Sequence, residues 1–425
     1  MSQLLDDLPR ELWETVERDL TGGRSSKRGR KGMTAEQVIR ILIVKQMTGI
    51  DYAHLVLVLL EYTCYRNFCR IELGQPLNAK TLQRNVKRVS PESLEAIHQA
   101  TIGLAQHDGI EDGKKLRADT TNVESNIHAP TDSSLLGDVH RVLVRLMKLA
   151  REKFGLEFSN HERRAKKRVY RILHAKNNDA RVPLYVDLLK VTGWTMDDAR
   201  KVCEELRGFT GLGPGEAALA DGVAMDLEHF VGLGERVVNQ TRRRVLDGEK
   251  VPSEDKLVSI FEPHTDILVK GKRKVEYGHM VCLSKGASGL VTDVRVLDGN
   301  PGDVTLTTEI VERHIEQFGH APSQAAFDGA FASQQNLADL KAKGVQDVAF
   351  SKPCGLAITD MAKSTFVFKM LRNFRTAIEG TISFLKRAFS MRRVMWRGMK
   401  SFKSYIIGSV TAANLLLLAR YRLAR

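Results

Sequence analysis

Apolar and polar positions recur along this chain with two periods, and the order of those periods predicts its elements. Residues 1–22 carry a short amphipathic helical pattern, and a basic, glycine-containing stretch from Arg24 to Gly32 follows as a linker. Helical spacing resumes at Thr34, an N-cap residue before Glu36 and Gln37, and continues through Val38, Ile41, Leu42 and Lys45. Further helices are expected over Tyr52–Leu60 and Ser90–Gln106. Between them Asn78 is placed to cap a helix whose open side carries Lys80, Arg84, Lys87 and Arg88. A short bundle ending in a basic helix suits helix-turn-helix docking in a DNA major groove; a solvated helical surface is the plainer alternative.

The period then changes. In Lys114–Thr121, Leu116 and Ala118 face one way and Arg117, Asp119 and Thr121 the other, which predicts a strand. After Pro130 the pattern is helical as far as about residue 259. Strands are expected at Tyr277–Leu283 and Leu290–Leu297, joined by a Lys285–Gly289 turn. A helix over Thr305–Phe318, a strand ending at Asp328, a helix from Ser333 to Gly344, a strand over Val345–Phe350 and a helix from Phe366 to Phe389 follow. The apolar run Tyr405–Leu418 is short for a bilayer and contains Ser409, Thr411 and Asn414, so it reads as a buried helix and no membrane association is expected. The whole describes an α/β fold: a mixed sheet flanked by helices, interrupted by a long helical insertion and preceded by an all-helical DNA-binding domain. The expected boundaries are 1–110 for the helical domain, 111–132 with 260–425 for the sheet domain, and 133–259 for the insertion.

Charge narrows the function. Lys and Arg total 65 against 51 Asp and Glu, a net +14, which favours a polyanionic partner because each neutralised phosphate releases counterions. Ribosome-associated, RNA-binding and membrane-surface proteins share that trait. The five cysteines form no CxxC pair, which argues against a structural zinc site or a disulfide framework and fits a reducing cytosol. The N-terminus shows no basic leader before an apolar run, so no signal peptide is expected.

Three acids are candidates for chemistry. Asp328 stands where an apolar strand turns into a loop, the end of a strand at which open α/β sheets bind ligands, although a turn-forming or capping Asp has the same look. Glu379 rides the border of the last predicted helix, beside an apolar stripe of Leu371, Ile378, Ile382, Leu385 and Phe389, with Arg375 and Lys386 on the same side. A surface ion pair between Arg375 and Glu379 is the bland explanation. From Lys386 to Lys403, however, come Lys386, Arg387, Arg392, Arg393, Arg397, Lys400 and Lys403 with no acid between them, a strip suited to phosphate. Asp119 on the first strand is the third acid. Cleaving a phosphodiester needs charge neutralised on both attacking and leaving oxygens, and two divalent ions in a carboxylate cage supply that. Asp293, Asp298 and Asp303, near the hairpin, are alternates for any one of the three.

These residues carry a resemblance over nearly the whole chain. Leu116–Leu136 looks like a first-aspartate block, Phe261–Val281 like the entry to a second strand, Gly299–Asp303 like the turn after a third, and Ala326–Ser333 like a second-aspartate block. Arg375, Glu379 and Lys386 match the spacing of the Arg, Glu and Lys in a signature around a third acid. The chain thus resembles bacterial insertion-sequence transposases of the DDE class, most closely the ISNCY-type group, which have a retroviral-integrase-like (RNase H-like) catalytic fold. One departure is that Arg372 stands where the signature has a Tyr, which removes any role resting on aromatic stacking.

The resemblance implies that Asp119, Asp328 and Glu379 hold two Mg²⁺ ions (with Mn²⁺ as a substitute). It implies cleavage at the ends of an insertion sequence and attack of the freed 3′-hydroxyls on target DNA. Arg375 and Lys386 would grip phosphates, with Arg372, Arg387, Arg392, Arg393, Lys80 and Arg84 as further DNA contacts; Trp194 or Trp396 is a candidate to stack on a flipped base, although a tryptophan is more often a core residue. It further implies double-stranded DNA as partner, a homodimer in the synaptic complex and a nucleoid-associated place in the bacterial cytoplasm. A catalytically inactive DNA-binding repressor or structural factor, and a nuclease of the same fold without strand transfer, are the competing expectations.

Overall fold

The computed structural model describes residues 1–23, 32–269, 275–352 and 354–425. All but the last residue of the expected Arg24–Gly32 linker lies outside the described residues. The chain forms two compact units, Met1–Asn126 with Leu268–Arg425, and Ile127–Ile267.

The first unit begins with α1 (Ser2–Asp6) and α2 (Arg10–Thr21), where the sequence pattern predicts one helix. Pro9 divides them: its ring restrains the residue before it, and it serves as the N-cap of α2. The chain continues through α3 (Ala35–Thr48), α4 (Tyr52–Glu61), α5 (Thr63–Phe68), α6 (Ala79–Arg88) and α7 (Pro91–His107) to β1 (Lys115–Glu124). Thr34 and Gln37 close a reciprocal capping box on α3, and the Asn78 side chain accepts from the Lys80 and Thr81 N–H groups at the start of α6.

The second unit is helical, with α8 (Asp132–Phe154), α9 (Glu162–Leu173), α10 (Asn178–Gly208) and α11 (Pro214–Thr241). Leu136, Val139, Leu143, Leu188, Leu227 and Val237 are inaccessible at its centre, so the insertion has an apolar core of its own.

A short strand, β2 (Asp266–Leu268), precedes the rest of the first unit. There follow β3 (Glu276–Lys285), β4 (Val291–Val296), α12 (Thr307–Phe318), β5 (Gln324–Phe327), α13 (Gln334–Ala342) and β6 (Asp347–Phe350). The chain ends with α14 (Ile358–Met361), α15 (Thr365–Ala388) and α16 (Met399–Leu423). The six strands form one mixed sheet in the order β2-β3-β1-β5-β6, with β4 also paired to β3. β1 runs antiparallel to β3 and parallel to β5.

Residues 1–110 do not stand apart in the structure. Val38 and Ile41 of α3, Ile97 and Ile102 of α7, Val281 and Leu283 of β3, and Ile406 and Leu415 of α16 belong to one buried apolar cluster. Helix α16 is long and apolar enough to cross a bilayer, yet 78% of its most apolar window is buried in the protein, so here it acts as the core helix the sequence predicts. Helix α15 lies against β6, β5 and β1; of the expected stripe its Leu371, Ile378 and Leu385, and Phe389 just after it, are buried, and Ile382 is half-buried.

Candidate active site

Strand register brings two acids to one place. β1 and β5 pair in parallel, Arg117 opposite Ala326, so two residues further on Asp119 and Asp328 arrive at the same level. Asp119 remains within β1 and is 8% exposed, whereas Asp328 follows the last residue of β5 and caps the short 3-10 turn Gly329–Phe331. Gly329 follows Asp328 at this turn. Its φ is not in the left-handed region; instead a Cβ there would meet the Lys352 Cβ at 2.7 Å, so glycine serves close packing.

The third acid comes from the helix above. Arg375, near the middle of α15, places Nη2 3.3 Å from an Asp119 carboxylate oxygen and 3.5 Å from one of Asp328, while Nη1 is 2.8 Å from Glu379. The i, i+4 pair that the bland explanation anticipates is therefore present, but it is one side of a larger arrangement. A single guanidinium gathers all three candidate acids, each from a different element. Arg375 and Asp119 are largely shielded, with side chains 12% and 11% exposed, while Asp328 and Glu379 at 43% and 61% open to solvent. Three carboxylates around one guanidinium carry a formal excess of two negative charges. That excess, on hard oxygen donors, matches what a divalent cation such as Mg²⁺ selects. Among the described residues no three carboxylate, imidazole or thiolate groups sit close enough to one another to share an ion. The acids meet through Arg375, and the two exposed ones have room to turn.

The alternates are committed elsewhere. Asp293 holds Arg313 at 2.6 Å, and Asp298 lies 3.7 Å from Lys403. Asp303 accepts from the Thr120 hydroxyl, whose side chain leaves β1 on the face opposite Asp119.

Two buried cations beside the acids were not singled out by sequence reasoning. Arg117, two residues before Asp119 on the same face of β1, stacks 4.0 Å from the centre of the Phe374 ring and donates to the Phe374 and Gly286 carbonyls. Burial lowers its pKa to about 10. Opposite it on β3, Lys285 donates to the Thr381 hydroxyl and the Ala377 carbonyl of α15. Burial, and then the nearby Arg117 charge, lower its pKa to about 8. The sequence pattern places Lys285 in a turn, but β3 extends over it. Period two through Val281, Leu283 and Lys285 is the signal that would have shown this.

The expected basic contacts lie on α15, on the stretch that follows it and on α6. After α15, the Glu124 N–H donates to the Arg392 carbonyl and the Val394 N–H to the Glu124 carbonyl, which ties this stretch to the end of β1. Arg372, Arg387, Arg392 and Arg393 are exposed and Lys386 is half-buried. Lys80 and Arg84 are exposed on α6, whose Lys87 ammonium lies 5.9 Å from the centre of the Trp396 ring. That contact joins α6 to the basic strip. Trp396 itself is 4% exposed and packs edge-on against Tyr405, so it is a core residue and is not open to a base. Trp194, in the helical unit, is 36% exposed, with Arg164 and Lys190 near its ring.

Compared with protein-family models, with curated proteins and with solved structures, the chain finds no match in any of the three.

Proposed function

We propose that the chain is a DNA transposase with an RNase H-like catalytic sheet. In this reading it binds the terminal inverted repeats of its own insertion sequence, cleaves them by metal-assisted hydrolysis and joins the 3′ ends to target DNA. The observation that carries it is the meeting of Asp119, Asp328 and Glu379 at one guanidinium, on a helix that a basic stretch of chain follows. The donor set fits a pair of Mg²⁺ ions, which Asp119, Asp328 and Glu379 would hold. Bound there, the ions would supply charge neutralisation for the attacking and leaving oxygens of the phosphodiester.

The protein's own groups do the rest. Asp119, fixed by its strand and by the Thr120 N–H at 2.8 Å, is the rigid member of the set. Asp328 and Glu379, more exposed, adjust around it. Arg375 offsets part of the acids' charge in the structure as it stands and, once displaced from them, is placed to meet a phosphate near the cut. Arg387, Arg392, Arg393, Lys80 and Arg84 would hold the duplex by its backbone, with strong salt dependence. Lys386 and Arg372 border the same helix. A homodimer follows from the need to hold two ends at once, and a nucleoid-associated location from the substrate.

The test uses purified protein, a duplex carrying the element's end, a target plasmid and Mg²⁺. Joined product is the expected result. Cleavage without joining would instead indicate a nuclease, and a gel shift with neither would indicate a repressor or structural factor. Asp328→Ala should abolish cutting and leave the gel shift intact; loss of binding would identify Asp328 as a structural residue.

A further inference from the structure

A second site lies on the other side of α15. Ala377, Gly380, Thr381 and Phe384 of that helix, the β3–β4 hairpin and the last turns of α16 enclose a cavity of about 400 Å³. This is the size range of pockets that hold small organic molecules. Its walls are mainly hydrocarbon, from Val291, Phe384, Leu385, Leu416 and Leu417. Lys285 lies at the sheltered end and is 8% exposed, while Arg420 is exposed. No acidic side chain among the described residues lines the cavity. The two hydrogen-bond partners of the Lys285 ammonium are both neutral, which leaves one of its three N–H donors and its whole charge without a compensating anion in the cavity wall.

Burying an ammonium without a counter-ion is costly, and the lowered pKa of Lys285 is the expected symptom. A nucleic-acid phosphate is a poor candidate for that anion, because a duplex backbone does not enter a cavity of this size. A slender molecule with one anionic end meets every feature of the space: apolar walls, a cation inside and a cation at the mouth. We propose that this cavity binds an amphipathic carboxylate, its head group on Lys285 and its hydrocarbon tail between Phe384 and Leu417. The site is independent of the transposase reading. It shares a wall with that reading's acid cluster, since Gly380 directly follows Glu379.

Gly380 also provides the test. It lies in the helix interior and a Cβ there meets no heavy atom within 4 Å, so Gly380→Leu fills the cavity where glycine is the poorer helix former. Titration calorimetry of the full chain with decanoate, decanol and decyltrimethylammonium, below their micelle concentrations, reads the specificity. The expected result is saturable binding of one decanoate, weaker binding of the alcohol and none of the cation. Lys285→Met should weaken decanoate by about tenfold or more, Lys285→Arg should retain it, and Gly380→Leu should abolish it at an unchanged or raised thermal midpoint. Because Gly380→Leu alters no charge, its loss of binding separates the cavity from general attraction to a basic protein. Failure of decanoate to saturate, equal affinity for the alcohol, or full affinity in Lys285→Met or Gly380→Leu overturns the proposal.

Discussion

Helix α15 meets two cations in opposite circumstances. Its own Arg375 is surrounded by Asp119, Asp328 and Glu379, whereas Lys285, reaching it from β3, finds only a hydroxyl and a carbonyl. Both are shielded from water, so the difference is in partners. At Arg375 negative charge exceeds positive, and a further cation is welcome. At Lys285 both hydrogen-bond partners are neutral, the group sheds its proton more readily, and an anion is welcome. A few residues along one helix thus separate two sites of opposite appetite.

The largest effect that would break this contrast is on chemistry. Asp119→Asn and Glu379→Gln each should lower Mg²⁺-dependent strand cleavage by about a thousandfold or more, read on labelled duplex, with the gel shift preserved. Ordinary rates would mean that the acids serve only to hold Arg375. Next comes stability. Arg375→Ala removes the guanidinium that joins Asp119, Asp328 and Glu379 and should cost about 2 kcal/mol in denaturant unfolding. Added Mg²⁺ should raise the thermal midpoint of this variant more than that of the parent, since the ion no longer competes with a guanidinium.

Lys285 makes the contrast readable in pH. Its folded pKa of about 8 lies below the ordinary lysine value of 10.5, so between those values the unfolded chain binds more protons than the folded one. Its cost is fully present below pH 8 and is relieved as pH rises towards 10.5. Folding stability should therefore gain on the order of 2 kcal/mol from this group across the window, and Lys285→Met should remove that gain. A variant with the parent's pH slope would show the lysine to be solvated. The smallest effect is at the neighbouring cation. Phe374→Leu removes the ring over Arg117 and should cost about 1 kcal/mol, without changing the pH slope of Lys285.

Much of this was legible in the sequence, and the reasons differ by element. The strand carrying Asp119, the strand end at Asp328 and the border position of Glu379 all follow from local periods, which survive folding because a buried face must stay apolar. What no local period contains is the pairing of Arg117 with Ala326, yet that register alone makes Asp119 and Asp328 neighbours. For Arg375 the sequence offers the i, i+4 contact with Glu379 and, by resemblance, a phosphate, and it hides the two contacts made through the sheet. Lys285 reads as a turn residue because a charged residue before Gly286 imitates a turn, whereas its burial depends on α15, more than ninety residues further on. The break at Pro9 is hidden in the sequence because the amphipathic pattern continues across it.

The stitch between Glu124 and the Arg392–Val394 stretch has a mechanical consequence. Side chains that reach for a phosphate ordinarily do so on flexible arms, but here the main chain itself fixes where those arms begin. Glu124 is five residues beyond Asp119, so the anchor stands roughly 16 Å along the strand from the first acid, at about 3.3 Å per residue. On the proposed function, a polymer held at one end of that span and cut at the other would be measured as well as gripped, the strand acting as its ruler.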